Sequence, residues 1–163
     1  MTSNERPSVS STEPDEKRSA IMRSVGRRDT GPEMIVRSAL HQMGFRFRLH
    51  DRRLPGSPDL ILPKHRAVVF VHGCFWHRHA GCRLATMPKT RVKFWSEKFA
   101  RNVKRDRDNL KALGSQGWRT AVVWQCQLSR GSRDRTIGAL AEWLKDAEPG
   151  FELKTRDSPL GPP

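Results

Sequence analysis

The chain has 163 residues and carries 31 Lys and Arg against 17 Asp and Glu, a formal charge of +14 at pH 7. That length suffices for one domain with a core of its own, and no apolar run approaches the roughly 20 residues of a membrane-spanning helix. The positive surplus, with Arg spread along the chain and interleaved with Trp and Phe, points to a polyanionic partner, and nucleic acid fits best.

In chain order, residues 1–15 are rich in Ser, Thr, Pro and Glu and read as a disordered tail. A single domain is expected over 16–148, followed by a flexible Pro- and Gly-containing tail over 149–163. The polar opening predicts no secretory leader. Residues 17–25 (KRSAIMRSV) have helical spacing, with Ile21, Met22 and Val25 on one face and Lys17, Arg18 and Arg23 beside it. Such a helix either docks on the core or lies against DNA with its apolar residues turned to the bases.

A second helix is predicted from Thr30 to about Met43. Thr30 can cap it, Pro32 suits the first turn and Glu33 completes a capping box. Met34, Val36, Leu40 and Met43 are its apolar positions, and Gly44 stops it. A catalytic use of Glu33 would require it to face Asp59. Residues 45–49 (FRFRL) alternate and predict a half-buried strand. A Pro/Gly turn over 54–58 leads to Asp59, at the head of the apolar run Leu60–Leu62. After a turn over 63–66, the β-branched run 67–71 predicts a buried strand ending in His72-Gly73. An acid on one strand beside a polar residue ending the next can hold a divalent cation, and such strand ends are common places for catalytic groups.

A loop rich in Cys and His follows, to about Pro88. Thr90 is the expected cap of a long helix over 92–113. Phe94, Trp95, Phe99, Val103, Leu110 and Leu113 form its stripe, and Lys98, Arg101, Lys104, Arg105, Arg107 and Lys111 its basic face. Gly114 and Gly117 end it. Residues 118–124 (WRTAVVW) predict another buried strand, which delivers Cys126. A last helix over 133–147 has Ile137, Leu140, Ala141 and Leu144 as its stripe.

Cys74, Cys82 and Cys126 are the three cysteines, and His77 and His79 lie between the first two. An odd count beside histidines favours a reducing compartment and metal ligation over disulfides. Cys3His is a common closed zinc set. Two spacings compete for the histidine, Cys74-x2-His77 and His79-x2-Cys82, and three buried free thiols are the alternative. Phe75 and Trp76 on this Gly-flanked loop, and Trp95 in the first turn of the long helix, are candidates for stacking on bases. Folding back into the core is the other reading of these rings.

The segments TGPE, RFRLHDRRLPGSPDLILP, VVFVHGCFWHRH, FWSEKFARNVKRDRDN and GWRTAVVWQC, in this order and spacing, resemble the very-short-patch-repair (Vsr) DNA mismatch endonucleases over residues 17–128. The resemblance implies a restriction-endonuclease-like α/β fold, a central mixed β-sheet flanked by helices, with structural zinc. It implies a Mg2+-dependent enzyme that nicks one strand 5′ of the T of a T:G mismatch within a short recognition sequence, starting repair of deaminated 5-methylcytosine. Carried over by position, Asp59 and the backbone carbonyl of Val71 would hold Mg2+, with Glu33 supporting the site through water. His72 would contact the scissile phosphate, and His77 would be the general base, oriented by Asp106. Cys74, His79, Cys82 and Cys126 would hold Zn2+. Phe75, Trp76 and Trp95, with Ile21 and Met22 from the N-terminal helix, would contact DNA.

The expected partners are double-stranded DNA containing a T:G mismatch and mismatch-repair proteins. The expected state is a monomer in the bacterial cytoplasm, associated with the nucleoid. Gln125 departs from the family's usual Glu, and Ala80-Gly81 lengthens the zinc loop by a residue. A restriction-type or mobile-element nuclease of the same fold is the alternative function, and a non-catalytic zinc DNA-binding module is a third.

Overall fold

The computed structural model describes residues 29–146 and the backbone of Phe151–Glu152. The chain forms two compact units, 1–30 and 31–163; the second carries all that follows. The expected helix over 17–25, with Ile21 and Met22, lies outside the described residues.

Four strands make one mixed sheet: β1 (Leu60–Leu62), β2 (Ala67–His72), β3 (Arg119–Trp124) and β4 (Phe151–Glu152), in that spatial order. β1 and β2 are antiparallel, joined by the 3-10 turn Pro63–His65, which Arg66 closes in the left-handed region with φ 49°. β2 and β3 are parallel. A parallel pair cannot be closed by a tight turn and needs a long crossover. Helix α2 (Val92–Ser115) supplies it. Helices α1 (Gly31–Gln42) and α3 (Arg133–Lys145) complete the unit.

Successive strand residues point to opposite faces, and both faces are covered, so the strands are apolar without alternation. Leu60, Leu62, Val69 and Val123 join Val36 and Leu40 of α1 and Ile137, Leu140 and Leu144 of α3. Ile61, Val68 and Phe70 point the other way, against Leu113 and the partly buried Leu110 of α2. The architecture is a layered α/β unit with helices on both faces of its sheet.

Several expectations are corrected. Residues 45–49 are not a strand. Arg48 alone bridges Ile61, through N–H···O=C bonds of 2.8 and 2.9 Å. β1 is three residues long and offers no further edge, although Phe45 is buried and Arg46 and Arg48 are exposed, as the alternation requires. In α1 the inward residues are Glu33, Val36, Arg37 and Leu40, the i, i+3, i+4, i+7 face. Met34 and Met43 are 49% and 53% exposed. Thr90 does not cap α2. Arg91 holds that position at φ 51° without a side-chain cap bond. Phe94 and Val103 of the expected stripe are exposed, and Phe99 and Leu113 are the buried residues of α2. β4 lies inside the stretch read as a C-terminal tail, paired with Ala121 and Val122.

The 54–58 turn sets Asp59 in place. Gly56 has φ 75°, and a Cβ there would come within 2.8 Å of Asn109 Nδ2 and 3.2 Å of Asn109 Cβ on α2. Pro58, the residue before Asp59, is fully buried. Gly56→Ala is expected to cost about 1–2 kcal/mol of unfolding free energy, from the left-handed backbone conformation. Adding Asn109→Ala should return only the steric share of that loss, measured by urea denaturation of the single and double variants. A Gly56→Ala protein as stable as wild type would show that the turn relaxes freely.

Candidate active site and metal-binding cluster

Asp59 precedes β1, and the antiparallel pairing brings its carboxylate to β2. Its Oδ2 accepts a 2.7 Å hydrogen bond from the Val71 N–H. Burial raises its pKa to about 6, and Glu33 adds to the rise, while the Val71 N–H, Arg37 and His77 pull against it. Glu33 is itself buried and sits 2.6 Å from Arg37. Glu33 acts on Asp59 as an electrostatic neighbour, and its own hydrogen bond goes to Arg37.

β2 ends at His72, which is buried against Phe70 and the edge of Trp124. Burial, helped by His77, depresses its pKa to about 3, so it is neutral. His77 lies flat on it, with ring centroids 3.8 Å apart and planes within 7°. The chain turns tightly to bring them together: the His77 N–H bonds to the Gly73 carbonyl at 3.1 Å. Asp106 projects from the inner face of α2 and lies 2.5 Å from His77 Nδ1. Burial opposes ionisation of Asp106, yet the hydrogen bond with His77, helped by the Arg105 guanidinium, leaves its pKa below the ordinary value. An ionised carboxylate only accepts hydrogen bonds. His77 Nδ1 therefore carries a proton, and in the neutral ring Nε2 is left as the basic atom.

The same loop carries a second cluster. One ligand atom each from Cys74, His79, Cys82 and Cys126 lie within 4.8 Å of one another. His79 Nδ1 is 3.7 Å from Cys74 Sγ and 3.3 Å from Cys126 Sγ. The edge of a zinc tetrahedron between sulfur and nitrogen is about 3.5 Å, given the usual bond lengths, so this donor set fits such an ion. Burial raises the Cys74 thiol, with Cys126 opposing and Cys82 adding to the rise, and pushes Cys126 up to about 12, with Cys74 and Cys82 adding to that shift. A cation would reverse that cost, since coordination deprotonates a thiol. Of the two competing spacings, the structure gathers the set containing His79; His77 belongs with Asp106. Cys126 is fixed by the 3-10 turn Gln125–Leu128, where Gln127 Oε1 accepts from the Trp124 N–H at 2.9 Å.

Asp59 belongs to none of the close His/Cys/Asp/Glu groupings among the described residues. A cation at Asp59 would complete its shell from backbone carbonyl and water oxygens. That suits Mg2+, which keeps several waters and takes one or two carboxylates.

Phe75, Trp76 and Trp95 are half-buried against one another and against Phe99 rather than lost in the main core. The Lys98 ammonium lies 5.3 Å from the Trp76 ring centroid and 5.1 Å from that of Trp95. Asn102 Nδ2 donates to the Trp76 carbonyl at 3.1 Å and ties the aromatic loop to α2. Sequence reading missed Asn102, and it missed Arg37 and His50. Arg37 had a legible signal, its i,i+4 spacing from Glu33. His50 had none.

Hydrolysing a phosphodiester calls for a base near neutrality and a means of meeting phosphate charge. A chain of charge +14 that holds an acid-oriented imidazole beside a buried carboxylate is built as a nuclease. Comparison with known proteins narrows that class. Residues 12–83 match the family model described as DNA mismatch endonuclease Vsr. The Type II nicking enzyme V.XorIIP of Xanthomonas oryzae pv. oryzae is 53% identical over 131 residues, 80% of this chain and 91% of the relative. The DNA mismatch endonuclease Vsr of Escherichia coli is 45% identical, over 79% of this chain and 81% of its own length. The Type II nicking enzyme V.NmeAIP of Neisseria meningitidis is 41% identical, over 80% and 94%. The chain belongs to the Vsr family of DNA endonucleases.

The raised pKa of Asp59 has a direct consequence. The folded state binds this proton more tightly than the unfolded chain, so ionised Asp59 destabilises the fold. The penalty is absent below pH 3.8, grows to pH 6 and is complete above it. The gap corresponds to about 3 kcal/mol. Asp59→Asn should therefore stabilise the protein in Mg2+-free buffer at pH 7.5 by up to that amount, with the gain shrinking at pH 5.5. Equal stability of the two proteins at pH 7.5 in chemical denaturation would contradict this.

Proposed function

We propose that this protein is a Mg2+-dependent endonuclease of restriction-endonuclease-like fold that nicks one strand 5′ of the T in a T:G mismatch within a short sequence. It would act as a monomer in the bacterial cytoplasm and so begin repair of deaminated 5-methylcytosine. The observation that carries the reading is the His77–Asp106 pair, stacked on neutral His72 beside the Asp59 carboxylate. In that arrangement Asp106 holds the Nδ1 proton, and Nε2 of His77 takes the proton from the attacking water. The resulting imidazolium is stabilised by Asp106. His72, unable to carry a charge of its own next to it, offers the phosphate a neutral N–H. Asp59 and the Val71 carbonyl would hold Mg2+, which supplies charge neutralisation at the phosphate and a lower pKa for water.

Cys74, His79, Cys82 and Cys126 would hold a structural Zn2+. The ion would keep the loop between β2 and α2 in the shape that sets both His77 and the aromatic group. Phe75, Trp76 and Trp95, with Ile21 and Met22, would enter the DNA at the mismatch, where a weakly stacked step opens at lower cost. Mismatch-repair proteins would take over after the nick.

Three measurements check the reading. With Mg2+ and a panel of T:G, G:C and T:A duplexes, wild type should cut only the T strand of T:G. Asp59→Ala and His77→Ala should lose nicking and keep most DNA affinity, which comes from Lys and Arg contacts to phosphate. Cleavage of both strands of the G:C duplex would instead mark a restriction-type enzyme. Metal analysis should find one zinc per chain. Cys126→Ser should release it and lower the thermal midpoint, because structural zinc contributes folding free energy; a zinc-free wild type would sink the assignment. Trp76→Ala should keep the thermal midpoint near wild type while lowering discrimination for T:G over T:A, by about 1–3 kcal/mol of lost stacking. Unfolding with unchanged discrimination would make Trp76 a core residue.

A further inference from the structure

Arg37 lies on the inner face of α1, one turn after Glu33, and both are buried. A lone buried carboxylate would be very costly. Here Arg37 Nη2 donates to Glu33 Oε2 at 2.6 Å. The same Nη2 lies 2.9 Å from His50 Nε2. A guanidinium cannot accept a hydrogen bond, so His50 Nε2 is the acceptor and bears no proton. His50 is held with φ 49°, in the left-handed region where a non-Gly residue is uncommon. Its imidazole receives the arginine through Nε2. Both charges of the pair reach Asp59: Glu33 repels its carboxylate and Arg37 attracts it.

We propose that Arg37, oriented by His50, is a positioning residue that holds Glu33 in an ion pair and so keeps that carboxylate from becoming a second direct ligand of the divalent cation at Asp59. This rests on the divalent-ion reading above. Free of Arg37, Glu33 would be able to turn its carboxylate to the ion, and one positive charge acting on Asp59 would be gone. Both changes tighten cation binding, since the ion's attraction to the site grows with every uncompensated negative charge near it. Tighter binding is not faster hydrolysis. An ion held also by Glu33 would keep fewer waters, and Glu33 would compete with Asp59 and the Val71 carbonyl for it. Arg37 thereby trades affinity for position. A residue that merely holds the helix in place would, when lost, weaken cation binding and turnover together.

The test uses Mn2+ as the probe, titrated by electron paramagnetic resonance into the full chain, with nicking measured on the same preparations. Arg37→Met is expected to bind Mn2+ about tenfold more tightly and to nick more slowly at saturating metal. Arg37→Lys, which keeps the charge, should stay close to wild type in affinity. The double variant Arg37→Met with Glu33→Gln removes both buried charges and should return the affinity to wild type or weaker. If Arg37→Met does not fold, Arg37→Gln is read in the same way. An Arg37 variant that binds Mn2+ no more tightly, or a double variant that binds as tightly as the single one, overturns the proposal. If Asp59→Ala binds Mn2+ as well as wild type does, the cation is not at Asp59, and the reading beneath the proposal fails first.

Discussion

The site depends on one pairing, the parallel ladder between β2 and β3. Its register runs from Ala67 opposite Arg119 to His72 opposite Trp124. The loop after His72 and the turn after Trp124 therefore leave the sheet side by side. Without that register Cys126 could not meet Cys74, His79 and Cys82, which lie more than forty residues earlier. Trp124 is the hinge point of the arrangement: its ring stacks on His79, with centroids 4.2 Å apart, and its edge meets His72. One indole thus separates the Cys/His cluster from the histidine pair and packs against both.

The loop between β2 and α2 does three jobs in a few residues, and each is pinned from a different side. The thiols and His79 gather it towards β3. Asp106 takes His77 from α2. Asn102, one turn earlier on the same helix, holds the Trp76 carbonyl. A loop with little apolar content cannot acquire a fixed shape by burial alone. Polar contacts from His77, Asn102 and the Cys/His cluster supply the constraint instead, so the His77 imidazole and a group of half-buried rings can stand together at the surface.

The charges here are expensive. Asp59, Glu33 and Asp106 are carboxylates partly or wholly removed from water, and each has an answering group: the Val71 N–H, Arg37 and His77 respectively. Burial nevertheless leaves the ionisation of Asp59 disfavoured. Ionisable groups perturbed in this way cluster at functional sites.

Much was legible from the sequence alone. The β-branched runs announced β2 and β3, because residues buried on both faces of a sheet must be apolar throughout. The glycines announced the ends of α1 and the approach to β3, since few other residues take positive φ. Cys and His spacing announced that these side chains would gather into a group able to hold a metal ion, and the motifs carried the family. Other features were decided by tertiary contact. The alternation of 45–49 did not make a strand, because pairing needs a partner edge and β1 is three residues long. Local spacing allowed either His77 or His79 beside the thiols, and only the placement of α2, with Asp106 facing His77, separates their roles. The inward turn of Glu33 and Arg37 contradicts any hydropathy reading of α1. It is possible because each charge finds its counter-charge on the same helix face and His50 across the fold, and a linear pattern does not encode that closeness.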